Sequence, residues 1–307
     1  MKKIGVLLLA LMLPFVAWAD GEPEADTFLW KVSKSGRPDS YLLGTLHIGR
    51  VGSSLPAAYQ NALNKAGQLV VESNADELSQ SQYSADTAKI MQLMSDSRTL
   101  NQSLGRIRMF TLDKVLNVGN DEILVNGNRK VKPWVLWISA QSFYSPPGYS
   151  YHYGIDNLLI QQAKKQKKPI ISLERAEPMY LLNAIPEDKI KRSFDWLIAE
   201  HQEFLNEQKK SVEIYRANHA RLLWQEVADP KNQLQFFPLK DRAFWQKFMY
   251  QQLLTDRNQS WLPKLVDQFP RQPTLVAVGA AHLFGKQGLI WRLRQAGYQV
   301  APVLPAH

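Results

Sequence analysis

Two stretches near opposite ends of the chain carry the same pattern, and this repeat restricts the possible folds more than any other feature. Ser40 to Leu46 is a short apolar run that closes on Gly44-Thr45-Leu46-His47. A proline-first helical pattern over Pro56 to Ala66 follows, and then the apolar run Gln68 to Val71 ending at Glu72. Thr274 to Val278 closes on Gly279-Ala280-Ala281-His282, before an amphipathic pattern over Gly285 to Ala296 and a last apolar run from Tyr298 to Val303. Each unit reads strand, Gly-x-x-His, helix, strand, and the two histidines stand 282 − 47 = 235 residues apart. A third helix and strand, Ile155 to Gln166 and Pro169 to Leu173, end at Glu174. This alternation predicts an α/β fold with a central, mostly parallel or mixed sheet. Parallel strands finish on one edge, so His47, Glu72, Glu174 and His282 are expected to converge there.

The remaining segments are helical or irregular. Residues 73–130 are polar and helical in pattern, with no chemistry assigned, and Trp134 to Phe143 is apolar and helical. Residues 176–268 read as an α-helical insertion, opened by Pro186 and carrying Ile190, Phe194, Leu197, His201 and Phe204 on one predicted stripe. Residues 20–37 read as polar, and Ser145 to Gly154, rich in Pro, Gly and Tyr, reads as an irregular loop.

Composition narrows the chemistry. The chain has 307 residues and no cysteine, which excludes disulfides, thiolate metal sites and a cysteine nucleophile. Any metal must be held by His and carboxylate. Lys2 and Lys3, the apolar run Ile4 to Ala17 and Ala17-Trp18-Ala19 predict a signal peptide over 1–19, cleaved before Asp20. The run is shorter than the roughly 20 residues that span a bilayer, so no stable membrane anchor is expected. With no cysteine after the cleavage point no lipoprotein anchor is expected; the short lysine start resembles bacterial export signals, so a periplasmic location is expected, with residues 20–307 as the α/β domain. The net charge of +9, less the two leader lysines, leaves +7. In that compartment no nucleic-acid partner is expected, and peptides or anionic envelope components are favoured. The Lys164 to Lys168 cluster reads as a solvated helix end.

Two imidazoles with one or two carboxylates suit a divalent metal of borderline hardness, and a spare carboxylate suits proton transfer to or from water. The glycine of each motif offers a sharp turn and close approach by metal or substrate. One Gly-x-x-His alone is ordinarily structural; two at matched positions, with two strand-end glutamates, favour a site. His152 in a loop, His201 on a helix, His219 among polar residues and the terminal His307 lack that setting. Arg257 could hold a carboxylate or an oxyanion, although on its own it reads as a surface ion pair. Asp156 reads as a charge at a helix N-terminus. No His-Glu-x-x-His, Gly-x-Ser-x-Gly, Walker or dinucleotide motif occurs.

Taken in order, Tyr41-Leu42-Leu43-Gly44-Thr45-Leu46-His47, Val71-Glu72, Gly154-Ile155-Asp156, Ile171-Ser172-Leu173-Glu174, Asp256-Arg257-Asn258 and Val278-Gly279-Ala280-Ala281-His282 resemble the TraB/GumN family from about residue 28 to 303. That family includes the animal Tiki metal-dependent proteases and bacterial members linked to peptide-pheromone shutdown, and it is similar in fold to erythromycin esterases and haem-binding ChaN-like proteins. The resemblance implies that His47 and His282 bind a metal, that Glu72 is a ligand or general base, and that Glu174 and Arg257 line the pocket. It favours manganese or cobalt; the residues themselves leave zinc open. The implied function is a metal-dependent, peptidase-like hydrolase with a peptide or protein substrate. A non-catalytic peptide- or haem-sequestering protein is the alternative, and an esterase or lactone hydrolase a weaker one.

Overall fold

The computed structural model describes residues 21–78, 80–116 and 125–304; the expected signal peptide over 1–19 and His307 lie outside the described residues. Eight strands occur among them: β1 (Leu29–Ser33), β2 (Ser40–Thr45), β3 (Gly49–Arg50), β4 (Gln68–Val71), β5 (Tyr149–Ser150), β6 (Ile170–Ser172), β7 (Thr274–Gly279) and β8 (Gln299–Pro302). Six form one sheet in the order β6-β4-β7-β2-β1-β8, while β3 and β5 pair separately. Pairing is parallel for β6 with β4, β4 with β7 and β7 with β2, and antiparallel for β1 with both β2 and β8. Only β1 therefore runs against the rest.

The central strands are apolar on both faces because both faces are covered. Leu42, Leu43, Leu69, Val70, Leu275, Val276 and Val278 are each fully buried, the continuous apolar run typical of a sandwiched parallel strand. Both Gly-x-x-His units fold as expected, as strand–helix–strand crossovers. The first passes from β2 through the helix Ala57–Lys65 to β4, and the second from β7 through Leu289–Gln295 to β8. Since β7 lies between β2 and β4, the two units interlock. Truncating a wholly buried strand residue such as Leu69 to Ala leaves a cavity here, at a cost of about 2–5 kcal/mol.

Several segments differ from their sequence reading. The stretch read as polar contains β1, whose Leu29, Trp30 and Val32 are buried; the apolar run Phe28 to Trp30 was outweighed by its charged neighbours. The final helix is shorter than predicted. The chain first makes a 3₁₀ turn over Ala280–His282, and Gly285 has φ +81°, so regular helix begins only at Leu289. Between 211 and 227 the helix breaks at Asn218, whose φ is +58°. The long helix Glu187–Arg216 is also kinked at Glu200 (φ −118°, ψ 26°). Past the kink the buried stripe of Ile190, Phe194 and Leu197 shifts to Leu205 and Val212, leaving His201 and Phe204 half-buried.

A second apolar core belongs to the helices. It joins Leu100, Leu112 and Trp134 to Phe194, Trp245 and Phe248, so the helical layer draws on the segment before β6 as well as on residues after 176. Residues Lys247–Asp256 form a ten-residue π-helix, and Arg257–Gln268 continues as α-helix. Among the described residues no helix is long and apolar enough to cross a membrane.

Candidate active site

Each strand end delivers its side chain to one place through backbone pairing. Beyond β4 and β6 the ladder continues, with Leu173 N–H donating to Val71 O at 2.9 Å and Glu174 N–H to Glu72 O at 3.0 Å. Glu72 and Glu174 therefore stand side by side. Across the sheet, the Gly279 N–H at the end of β7 donates to Glu72 Oε1 at 2.7 Å. A side chain at Gly279 would place its Cβ 3.3 Å from Glu72 Oε1, 3.7 Å from His282 Cδ2 and 4.0 Å from His47 Nε2. Three of the groups named from the sequence thus surround the space that this glycine leaves empty. At Gly44 the expectation of close approach by metal or substrate does not hold. A Cβ there would lie 3.0 Å from Ala280 Cα and from Leu283 Cδ2, so this glycine lets the two turns pack on each other.

Arg257 sits at the start of the helix after the π segment and ties the carboxylates together. Its Nη2 donates to Glu72 Oε2 at 2.7 Å, its Nε to Glu174 Oε1 at 2.9 Å, and its Nη1 lies 3.4 Å from His282 Nε2. Trp261 Nε1–H donates to the other Glu174 oxygen at 3.1 Å, and the Trp261 ring lies 4.5 Å from that of His282. The isolated surface reading of Arg257 is thereby corrected: its side chain is 16% exposed, and its partners Glu72 and Glu174 are 15% and 4% exposed.

Each imidazole is held from behind. His47 Nδ1 lies 2.9 Å from Asp156 Oδ2, and Thr45 Oγ1 donates to Asp156 Oδ1 at 2.5 Å. His282 Nδ1 lies 2.7 Å from Asn258 Oδ1, while Asn258 Nδ2 donates to the carbonyls of His282 at 3.2 Å and Gln287 at 2.9 Å. Both partners present an oxygen, so both rings place an N–H on Nδ1 toward it and turn Nε2 to the opposite side. Asp156 is more than a helix-end charge, and Asn258 has a part the sequence reading did not assign. Asp156 reaches His47 because Gly154 lies against it: a Cβ at Gly154 would fall 2.1 Å from the His47 carbonyl oxygen.

The electrostatics divide the two rings. The Asp156 carboxylate raises His47 to about 9, against the opposing effect of desolvation. His282 is lowered to about 4, first by burial and then by Arg257 and His47, with Glu72 opposing. Burial pushes Glu72 upward, but surrounding positive charge and the Gly279 N–H hold it at about 2. That charge comes from His282, Arg257 and His47, in that order. Glu174 goes the other way: desolvation raises it despite the hydrogen bonds from Arg257 and Trp261.

The remaining histidines stay apart from this cluster. His152 belongs to a 3₁₀ turn, His201 Nδ1 lies 3.2 Å from Ile198 O, and His219 caps the helix Ala220–Ala228. The aromatic loop pairs through β5 with β3, and Tyr149 donates to Glu213 at 2.7 Å.

The donor types suit a divalent cation: two imidazoles held at Nδ1 and a carboxylate border one uncrowded space. As they stand, no three His, Asp or Glu side chains among the described residues form a group that could hold a metal ion. The Arg257 guanidinium supplies the positive charge between Glu72 and His282.

The chain is 27% identical over 272 residues to "Uncharacterized protein YbaP" of Shigella flexneri, covering 86% of this chain and 90% of that protein. It is 26% identical over the same length and shares to the protein of that name in Escherichia coli (strain K12). No solved structure matches. The family model described as the TraB/PrgY/gumN family matches residues 28–302, nearly the whole described chain, and the chain belongs to that family.

Proposed function

We propose that this protein is a periplasmic, metal-dependent hydrolase acting on peptide bonds. The observation that supports this reading best is the pair of back-held imidazoles whose outer edges, with Glu72, border the space that Gly279 leaves empty. His47 Nε2, His282 Nε2 and Glu72 would hold the cation, with manganese, cobalt and zinc all compatible with two nitrogens and one oxygen. A cation bound there supplies Lewis acidity toward a carbonyl and toward water.

The chain's own groups account for the rest. With Oε2 engaged by Arg257, Glu72 is a weak base. It becomes a competent proton acceptor when Arg257 turns toward substrate. Water then adds to the carbonyl carbon and its proton passes to Glu72; as the C–N bond breaks, that proton passes to the leaving nitrogen. Arg257, steadied by Glu174, donates to the oxygen that gains negative charge. The signal peptide read over 1–19 provides the export step.

The test is metal content and cleavage of a mixed peptide substrate by the wild type, His47→Ala, His282→Ala and Glu72→Gln. Both histidine variants are expected to lose metal, and Glu72→Gln to lose at least about 100-fold in turnover. Unchanged metal content in both histidine variants ends this reading. The Glu72–Arg257 pair, already neutralised, favours one second reading: a protein that sequesters a peptide or haem without turnover, for which Glu72→Gln would behave as wild type.

A further inference from the structure

Two cavities adjoin the His47 turn. The larger, about 620 Å³, lies beyond Ile48, between Tyr59, Tyr215, Arg50 and Arg216, and contains none of His47, Glu72, Glu174, Arg257 or His282. The smaller, about 310 Å³, opens onto His47 and Ile48 and is walled by Trp196, Phe204, Phe236, Phe237 and Met249. All five are only partly buried, although none carries charge. Trp196 and Phe236 meet edge to face at 5.1 Å and 69°, which fixes one wall. Met249 comes from the π-helix that leads into Arg257, so this wall and the guanidinium share one segment.

Gln208 lies four residues beyond Phe204 on the same helix and lines the same cavity. Its Oε1 is buried and has no hydrogen-bond partner among the described residues. A buried acceptor left unpaired is costly, so its position marks where a donor belongs. At the cavity edge Glu207 and Glu226 share Lys210, at 3.5 and 3.2 Å.

Resting on the hydrolase reading, we infer that this smaller cavity is the specificity pocket of the site: it takes one bulky apolar or aromatic side chain of a peptide, whose adjoining amide N–H donates to Gln208 Oε1. The volume lies at the lower end of the about 300–1,000 Å³ of ligand pockets, enough for a side chain with its flanking backbone. The His47 ring, 58% exposed, forms the boundary between pocket and reacting bond.

The probe is N-acetyl-phenylalaninamide, compared with N-acetyl-glycinamide, with binding followed by the protein's tryptophan fluorescence in chelator-treated full-length protein. The phenylalanine compound is expected to bind at least about tenfold tighter. Ser211→Trp, which fills the cavity, is expected to abolish that preference. Gln208→Leu is expected to weaken binding about fivefold or more, yet leave the melting temperature equal or higher, because an unpaired acceptor has been removed. Equal binding of the two compounds, or a preference unaltered in both variants, overturns the inference. If metal binding and turnover persist without the preference, the pocket assignment fails alone; if the preference persists in a protein with neither metal nor turnover, the hydrolase reading fails alone.

Discussion

The two Gly-x-x-His turns share a motif and a position on the sheet, yet their histidines differ in charge. His47 has 58% of its side chain exposed and backs onto a carboxylate; His282 has 5% exposed and backs onto an amide. The first is held protonated toward about 9 and the second neutral down to about 4. Position in the chain sets where each ring stands. The partner at Nδ1, together with burial, sets what it carries. A cation site drawing on both rings must therefore displace a proton from one and none from the other, so occupancy should be pH dependent through His47.

The largest effect is expected from Arg257→Met. It leaves Glu72 and Glu174 buried at 15% and 4% side-chain exposure without their shared cation, at a cost of about 3–5 kcal/mol, measurable by denaturant unfolding. The same change removes a positive neighbour from His282, so its titration should move upward and the contrast between the rings should narrow. Exchanging the partners comes next. Asn258→Asp gives His282 the carboxylate that His47 has, and should raise its midpoint from about 4 by at least one pH unit, read from the imidazole proton resonances. Asp156→Asn should lower His47 from about 9 toward its ordinary value near 6.5.

In chelator-treated protein, the pH dependence of stability should show two arms of opposite sign. His47, raised in the fold, contributes fully below 6.5 and loses its contribution as pH rises through about 9. His282, lowered in the fold, contributes fully above 6.5 and loses its contribution as pH falls through about 4. The alkaline arm should be the shallower, since water screens the exposed His47. Thermal melts from pH 4 to 9 should show Asp156→Asn flattening that arm alone. The smallest effect is on overall stability at neutral pH, where Asp156→Asn is expected to cost no more than about 1 kcal/mol, as for a partly exposed ion pair.

Much of this arrangement was legible in the sequence because strand ends are. His47, Glu72, Glu174 and His282 follow short apolar runs, and parallel pairing leaves such residues only one edge on which to meet. Arg257 was legible only through the family resemblance, since nothing in a helical Asp256-Arg257-Asn258 points to a sheet edge. Asp156 reads from sequence as no more than a helix-end charge, and nothing around Asn258 marks a role for it. Their partners lie 109 and 24 residues away, and a hydrogen bond across such a gap leaves no periodicity to read. Gly154 was the available signal for Asp156, a residue with no side chain beside a charge, where the chain passes against the His47 carbonyl. β1 was lost because Lys31 and the flanking polar residues diluted a short apolar run. The unpaired Oε1 of Gln208 has no sequence signature at all.

The central place of β7 also bears on what losing one segment would cost. Without residues 274–279, β2 and β4 have no strand to join them, and each presents an open edge. The same segment carries the Gly279 amide that anchors Glu72, and it leads directly into His282. A chain lacking it has neither a continuous sheet nor a complete cluster, so the scaffold and whatever reactivity it supports stand or fall together.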